Sequence, residues 1–284
     1  MKIEYYLPEK VLSNSDLEKI FPKLPADIVE EKVGVRERHI AVEKQTALDL
    51  AMEAGKKVLK GYDKEKIDFV LFCTQTPDYF LPSGACIIQH RLGIKKTSGA
   101  YDYNLGCSGF IYGLAMAKGF IRMGVASHIL LLTGDTYTKK IHPKDRANRS
   151  IFGDGAAATI IEPGDAVKIG EFVFGTDGEG YRNLIIENGG LRNYPGENAG
   201  ESIDENGNFF SPGHLYMNGV EIFNFTIQNV PGMIDDVLKR NNLSLDDIDY
   251  FIFHQANKYM LDYLRKKIRI PAEKFYNNEN QRQK

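Results

Sequence analysis

Two side chains have both the chemistry and the setting for covalent catalysis. Cys107 stands in Gly106-Cys107-Ser108-Gly109, ahead of a long apolar run, and His254 closes the apolar run Tyr250-Phe251-Ile252-Phe253. A cysteine at the first turn of a buried helix meets unpaired backbone N–H groups and the positive end of the helix dipole, which favour thiolate over thiol. The same N–H groups can bind the oxyanion that forms when a thiolate attacks a thioester. Glycines on both sides of Cys107-Ser108 permit a tight strand-to-helix turn and close approach of a substrate. A histidine at the carboxyl end of a strand sits where open α/β sheets carry functional groups. Each residue also has a plainer reading, Cys107 as a small buried side chain and His254 as a ring satisfied by nearby backbone. Cys73 and Cys86 fall inside apolar strand and helix patterns, and packing accounts for both.

The elements that must position these residues follow from hydrophobic periodicity. Residues 46–60 read as an amphipathic helix and 67–74 as a strand too apolar to have only one face buried. Ser83 is placed to cap a helix running to Leu92, with Gly93 as its stop. A strand at 100–104 leads into the cysteine motif. Residues 107–124 are apolar on nearly every face, as expected for a helix inside a large protein. Strands are expected at 128–133 and 155–161, with a polar loop through Arg149 between them. A second half repeats the order: a helix at 220–240 kinked near Pro231, a strand at 249–253, a helix at 255–268, and a new strand starting at Phe275. This alternation predicts an α/β architecture, with halves at 1–168 and 169–284 packed as one unit.

The chain has 284 residues, 43 % hydrophobic and 26 % charged, with a net charge of −2. That charge argues against broad attraction to nucleic acid or to an anionic membrane. Three cysteines are too few and too irregular for a disulfide framework or a zinc site. The start lacks the apolar core of a signal peptide, and no apolar run reaches the roughly 20 residues needed to cross a bilayer. The cytosol is the expected compartment.

Several motifs in order resemble β-ketoacyl-acyl carrier protein synthase III: GVRERHI at 34–40, the stretch 67–93, GCSGFIYG, RANRSIFGDGAA, MNGVEIF at 217–223 and FHQAN. The resemblance covers essentially the whole chain. It implies a thiolase-like fold of two similar αβ halves in a layered α-β-α-β-α sandwich, usually a homodimer, with no metal or redox cofactor. It implies that Cys107 takes an acyl group from acyl-coenzyme A, and that malonyl-acyl carrier protein then loses CO₂ and attacks the thioester. His254 corresponds to the histidine that hydrogen-bonds the malonyl thioester oxygen, and its neutral form is the one required. The same matches place Asn257 and Phe223 among the substrate-binding residues. Where the family often has a tryptophan and an arginine that clamp the coenzyme's nucleotide, this chain has Ile28 and Lys32, while Arg146 keeps a basic position. Tyr259 replaces a family arginine. Lys266 and Lys267 match two lysines suited to docking an acidic carrier protein, and Leu81 takes a position that lines the acyl pocket across the dimer.

The end of the sequence departs from the family. NNENQRQK stands where a Gly-Asn-Thr or Gly-Asn-Ser motif is expected, and none of Asn277, Asn278 or Asn280 has that setting. The glycine-rich loop and last strands of the second half are also expected to be missing, which would bare apolar surface. A truncated product of impaired activity is therefore expected, with a partner chain supplying the missing portion as the alternative. Two rivals to a condensing enzyme remain on this reading: a non-catalytic remnant, and a relative that transfers acyl groups to a hydroxyl or amine without decarboxylation.

Overall fold

A computed structural model describes residues 1–194, 196, 200–204 and 207–276. In chain order the first elements are β1 (Lys2–Tyr6), β2 (Lys10–Ser13), α1 (Asn14–Ile20), α2 (Ala26–Val33), β3 (Glu37–Ile40), α3 (Ala47–Val58), β4 (Phe69–Cys73), α4 (Gly84–Leu92) and β5 (Gly99–Tyr103). Then come α5 (Gly109–Arg122), β6 (Ile129–Asp135), α6 (Arg146–Ile151), β7 (Gly155–Ile161) and α7 (Pro163–Lys168). The two-residue strands β8 (Leu184–Ile185), β9 (Ser202–Ile203), β10 (Phe209–Phe210) and β11 (Tyr216–Met217) precede the long helices α8 (Gly219–Arg240) and α9 (Lys258–Ile268). Contacts gather these into two compact units. One holds Met1–Val11, His39–Thr138 and Gly153–Gly170; the other holds Leu12–Arg38, Lys139–Phe152 and the chain from Glu171 to its last described residue.

The first unit is built on a five-stranded sheet in the order β1-β7-β6-β4-β5. The apolar central strands β4 and β6 run parallel to each other, as does β5 to β4, while β7 and β1 are antiparallel additions. Alternation along each strand divides its side chains between two faces. Val70, Phe72, Leu130, Leu132, Ala158 and Ile160 pack with α3 and α4 residues such as Leu48, Ala51, Ile88 and Leu92. Leu71, Ile129, Leu131 and Ile161 face the other way, in a cluster with Ala117, Leu114 and Phe120 of α5. Fully burying an aliphatic side chain contributes about 1.5–3 kcal/mol, so a strand buried on both faces is held from both sides. This explains the unbroken apolar runs of β4 and of β6 from Ile129 to Leu132.

Local signals set the helix ends, with one substitution of roles. Thr46 and Asp49 form a reciprocal capping box on α3, and Gly93 stops α4 in the left-handed region at φ 67°. Ser83 occupies the N-cap of α4, but its hydroxyl makes no capping hydrogen bond. The Asp102 carboxylate accepts from the N–H groups of Gly84 (2.5 Å) and Ala85 (2.7 Å) instead. A charge supplied from β5 therefore does the work expected of the local serine. The expected polar loop before Arg149 contains the short helix α6, capped by Asp145.

In the second unit, α8 and α9 pack through a cluster of Phe251, Met260, Leu261, Leu264, Ile268, Ile270 and Phe275 with Phe223, Val230 and Ile234 beside it. Helix α2 packs against α9 and α6. Pro231 lies inside α8, which continues past it to Arg240. The strands expected at 249–253 and from Phe275 reduce, among the described residues, to one parallel bridge between Phe251 and Phe275. Hydrogen bonds from Phe251 N to the Lys274 carbonyl (2.8 Å) and from Tyr276 N to the Phe251 carbonyl (2.9 Å) flank it. A strand ladder needs more than one paired neighbour to extend, and periodicity alone does not report whether the neighbour is there. No helix among the described residues is long and apolar enough to cross a membrane.

Candidate active site

Cys107 sits in a turn rather than in a helix. Helix α5 begins at Gly109 with Ser108 as its N-cap, so Cys107 precedes the first helical turn in which its sequence context placed it. Gly109 N donates to the Gly106 carbonyl at 2.8 Å, closing a four-residue turn with Cys107 at its second position. Tyr112 N donates to the Ser108 carbonyl at 3.2 Å and starts the helix proper.

Side chains beneath the turn explain its glycines. A Cβ on Gly109 would collide with Cys73 Sγ, and one on Gly106 would collide with Gln75 Oε1. Neither glycine is required by a left-handed backbone; each is required by a close approach. Tyr103 Oη donates to the Gly109 carbonyl at 2.8 Å, and Cys73 Sγ donates to the Leu105 carbonyl at 2.9 Å. Burial pushes the Cys73 thiol up to about 11, which makes it a packing group and a weak donor.

Cys107 is exposed at its residue surface, yet protein packed along one side withholds water from the thiol. That burial raises the thiol pKa; its own backbone N–H works in the opposite direction, and the charge of Asp135 adds to the rise. The depressed pKa expected from a first helical turn is therefore not what the structure has. Cys107 lies outside the turn whose free N–H groups would lower it, and an anion is near. Asp135 ends β6, where one of its oxygens accepts from Gln75 N (2.7 Å), Thr76 Oγ1 (2.9 Å), Thr76 N (3.0 Å) and Thr74 Oγ1 (3.0 Å). Its own pKa is raised, burial outweighing these four hydrogen bonds. The sequence reading missed Asp135, Gln75, Tyr103 and Tyr137. One signal was available for Asp135, a polar residue closing an apolar strand as His254 closes an apolar run.

His254, Asn257, Phe223, Lys266 and Lys267 lie in the second unit, as do Lys32 and Arg146; Cys107 and Leu81 belong to the first. His254 follows the Phe251 bridge in an irregular stretch where Ala256 N donates to its carbonyl at 3.0 Å. Burial lowers its pKa, which favours the neutral ring. Asn257 is the N-cap of α9, its Oδ1 accepting from Met260 N at 2.8 Å. Phe223 packs its ring on Tyr259 and Tyr263, with centroids 5.5 and 5.4 Å away. Lys32 is an exposed residue of the last turn of α2, and Arg146 is the first residue of α6.

Lys266 and Lys267 are both exposed in the last turn of α9, and the Lys267 ammonium donates to the Ile227 carbonyl of α8 at 2.6 Å. Beside the start of α8 a cavity of about 530 Å³ is lined by residues including Phe210, His214, Met217 and Asn218. Leu81 is 81 % exposed beside the equally exposed Phe80, and Cys86 is exposed on α4 rather than buried. Asn277, Asn278 and Asn280 lie outside the described residues.

Cys107 and His254 both fall in matched regions. The family model for 3-oxoacyl-[acyl-carrier-protein] synthase III matches residues 101–178, which include Cys107, and its C-terminal counterpart matches 238–281, which include His254. A β-ketoacyl-[acyl-carrier-protein] synthase III of Koribacter versatilis is 36 % identical over 274 residues, covering 95 % of this chain and 79 % of the relative. One from Caldanaerobacter subterraneus is 37 % identical, covering 96 % and 80 %. This chain belongs to the β-ketoacyl-acyl carrier protein synthase III family. A 2.1 Å crystal structure of a 3-oxoacyl-(acyl-carrier-protein) synthase III superposes with a TM-score of 0.92 at 46 % identity, covering 96 % of this synthase-family chain and 83 % of that one. The enzyme of Burkholderia xenovorans gives 0.87 at 36 % identity, covering 98 % and 78 %. The fold is therefore that of the thiolase-like condensing enzymes. OleA of Xanthomonas campestris, 17 % identical with a TM-score of 0.78 over 98 % of this chain and 81 % of its own, shares that fold.

Proposed function

We propose that this protein is an acyltransferase that condenses an acyl thioester with malonyl-acyl carrier protein, with loss of CO₂, in fatty acid biosynthesis. The observation that carries the reading is an accessible cysteine on the tight Gly106–Gly109 turn, in a family of 3-oxoacyl-acyl carrier protein synthases. In the first stage the Cys107 thiolate attacks the thioester carbonyl. A carbon–sulfur bond forms to Cys107, and the carrier thiol leaves, taking up the proton. In the second stage the malonyl carboxylate departs as CO₂, and the electron pair it leaves attacks the Cys107 thioester. A carbon–carbon bond forms as the cysteine is released.

His254 donates a hydrogen bond from its neutral ring to the malonyl thioester oxygen, a role that its lowered pKa favours. Lys32 and Arg146 serve the entering thioester's carrier, and Lys266 and Lys267 attract an acidic carrier protein. Phe223 and Asn257 line the way in, and Leu81 shapes the acyl site across a homodimer. Either coenzyme A or an acyl carrier protein serves as the acyl donor.

The test is a condensation assay with short acyl-coenzyme A or acyl-carrier donors and malonyl-acyl carrier protein. Product formation is expected to need both Cys107 and His254. Removing an oxyanion-type donor costs about 10²- to 10³-fold. His254→Ala should therefore lose condensation by that factor while Cys107 still accepts acyl groups. Condensation that survives Cys107→Ala would overturn the assignment.

A further inference from the structure

The turn that bears Cys107 rests on two supports. Under Gly109 lie Cys73 Sγ and the Tyr103 hydroxyl. Under Gly106 lies the Gln75 side chain, whose Oε1 accepts from the Tyr137 hydroxyl. The position of a Cβ on Gly106 is 3.7 Å from that hydroxyl. An exposed glutamine ordinarily has about 1.5–2 kcal/mol of rotamer freedom to lose on being held. Here its backbone and its side chain are both fixed. The Thr74–Thr76 backbone is gathered onto one oxygen of Asp135 by four donors, and Thr136 N donates to Thr76 Oγ1 at 2.9 Å. The Asp135 carboxylate has no cation paired with it among the described residues, so its negative charge is not there to neutralise one.

We propose that Asp135, Gln75 and Tyr137 are positioning residues for the Cys107 turn: the Tyr137–Gln75 hydrogen bond braces Gly106, and the Asp135 carboxylate fixes the loop that carries Gln75. The proposal rests on the reading of Cys107 as the nucleophile. The titratable groups around the thiol on these elements are Cys73 and Tyr103 on the sheet, Asp135 at the end of β6, and Tyr137 beyond it. Of these, Asp135 is the one that acts on Cys107 by its charge. Its charge adds to the rise of that thiol, behind burial itself. The charge and the brace can therefore be removed separately.

The experiment follows two reactions of Cys107 in the full-length chain: acyl transfer from a short acyl-coenzyme A, and alkylation by iodoacetamide across pH, each read at the Cys107 peptide by mass spectrometry. Tyr137→Phe and Gln75→Ala are expected to lower the rate of acyl transfer at saturating donor by about tenfold. KM and the melting temperature should barely move, and alkylation at a fixed thiolate fraction should change in step with acyl transfer. Asp135→Asn keeps an oxygen acceptor but no charge, and is expected to move the alkylation midpoint to lower pH. Wild-type rates in both Tyr137→Phe and Gln75→Ala would overturn the brace, whether or not Asp135→Asn folds. An unmoved midpoint in folded Asp135→Asn would overturn the charge coupling. If wild-type Cys107 takes no acyl group, the functional reading fails instead, and the alkylation rates of the two brace variants still decide the positioning.

Discussion

Two glycines on one helix should respond in opposite ways to the same added methyl group. Both Gly113 and Gly119 belong to α5, where alanine is favoured over glycine by about 1 kcal/mol. At Gly119 no described atom lies within 4 Å of an added Cβ, so Gly119→Ala should collect most of that gain. At Gly113 the added carbon would collide with the Tyr103 hydroxyl and stand 2.6 and 2.8 Å from the two Leu131 methyls. Overpacking of this kind costs about 1–3 kcal/mol. Displacing Tyr103 also breaks its hydrogen bond to the Gly109 carbonyl, worth about 1 kcal/mol. Subtracting the helix gain leaves a net loss of about 1–3 kcal/mol for Gly113→Ala. With about 2–4 °C per kcal/mol in a large chain, its melting temperature should fall by roughly 2–12 °C, and that of Gly119→Ala should rise by up to about 4 °C. Thermal melts of the two variants beside the wild type decide the matter. If Gly113→Ala proves as stable as Gly119→Ala, α5 does not pack on Leu131 and Tyr103 as described, and the support under the Cys107 turn is misplaced.

Two further outcomes follow from capping and charge. Asp102→Ala should destabilise the chain by about 1–3 kcal/mol, seen as a lower urea midpoint at unchanged m, because α4 loses two carboxylate hydrogen bonds. Ser83→Ala should cost under about 0.5 kcal/mol, because its hydroxyl caps nothing. His254 is held neutral by burial, so its folded pKa lies below the 6.5 of an ordinary histidine. As pH falls below 6.5 the unfolded chain takes up a proton before the folded one, and stability declines until pH passes below the folded pKa. Denaturation measured between pH 8 and 5 should show this decline, and His254→Gln should flatten it.

Hydrophobic pattern carried most of the first unit. Strands β4, β6 and β7 fall within a residue or two of their expected spans, because burial on two faces writes an unbroken apolar run. Helix α3, Ala47–Val58, likewise lies within two residues of its expected span of 46–60. The start of α5 was less legible: residues 107–124 are apolar throughout, so periodicity could not separate the Cys107 turn from the helix behind it. Cys73 and Gln75 under that turn are contacts across distant segments, and no local pattern signals them. Asp102 shows the same limit, since a serine in the right place hid a cap delivered from the next strand. In the second unit, 249–253 has a strand's composition, but among the described residues its pairing stops at one bridge. The motif matches put Cys107 and His254 inside the two matched family regions, whereas the direction of the Cys107 pKa follows first from burial of the thiol and then from the charge of Asp135, neither of which a local pattern reports.

The most direct test is to trap the acyl group on the enzyme. The native chain is mixed with a short acyl-coenzyme A or an acyl-carrier protein, quenched in acid, digested, and its three cysteine peptides are weighed. Cys86 is exposed and Cys73 buried, so the two serve as internal controls for access alone. The account predicts an acyl adduct on the Cys107 peptide and its loss in Cys107→Ala. An adduct confined to Cys86 or Cys73, or labelling that survives Cys107→Ala undiminished, would contradict it.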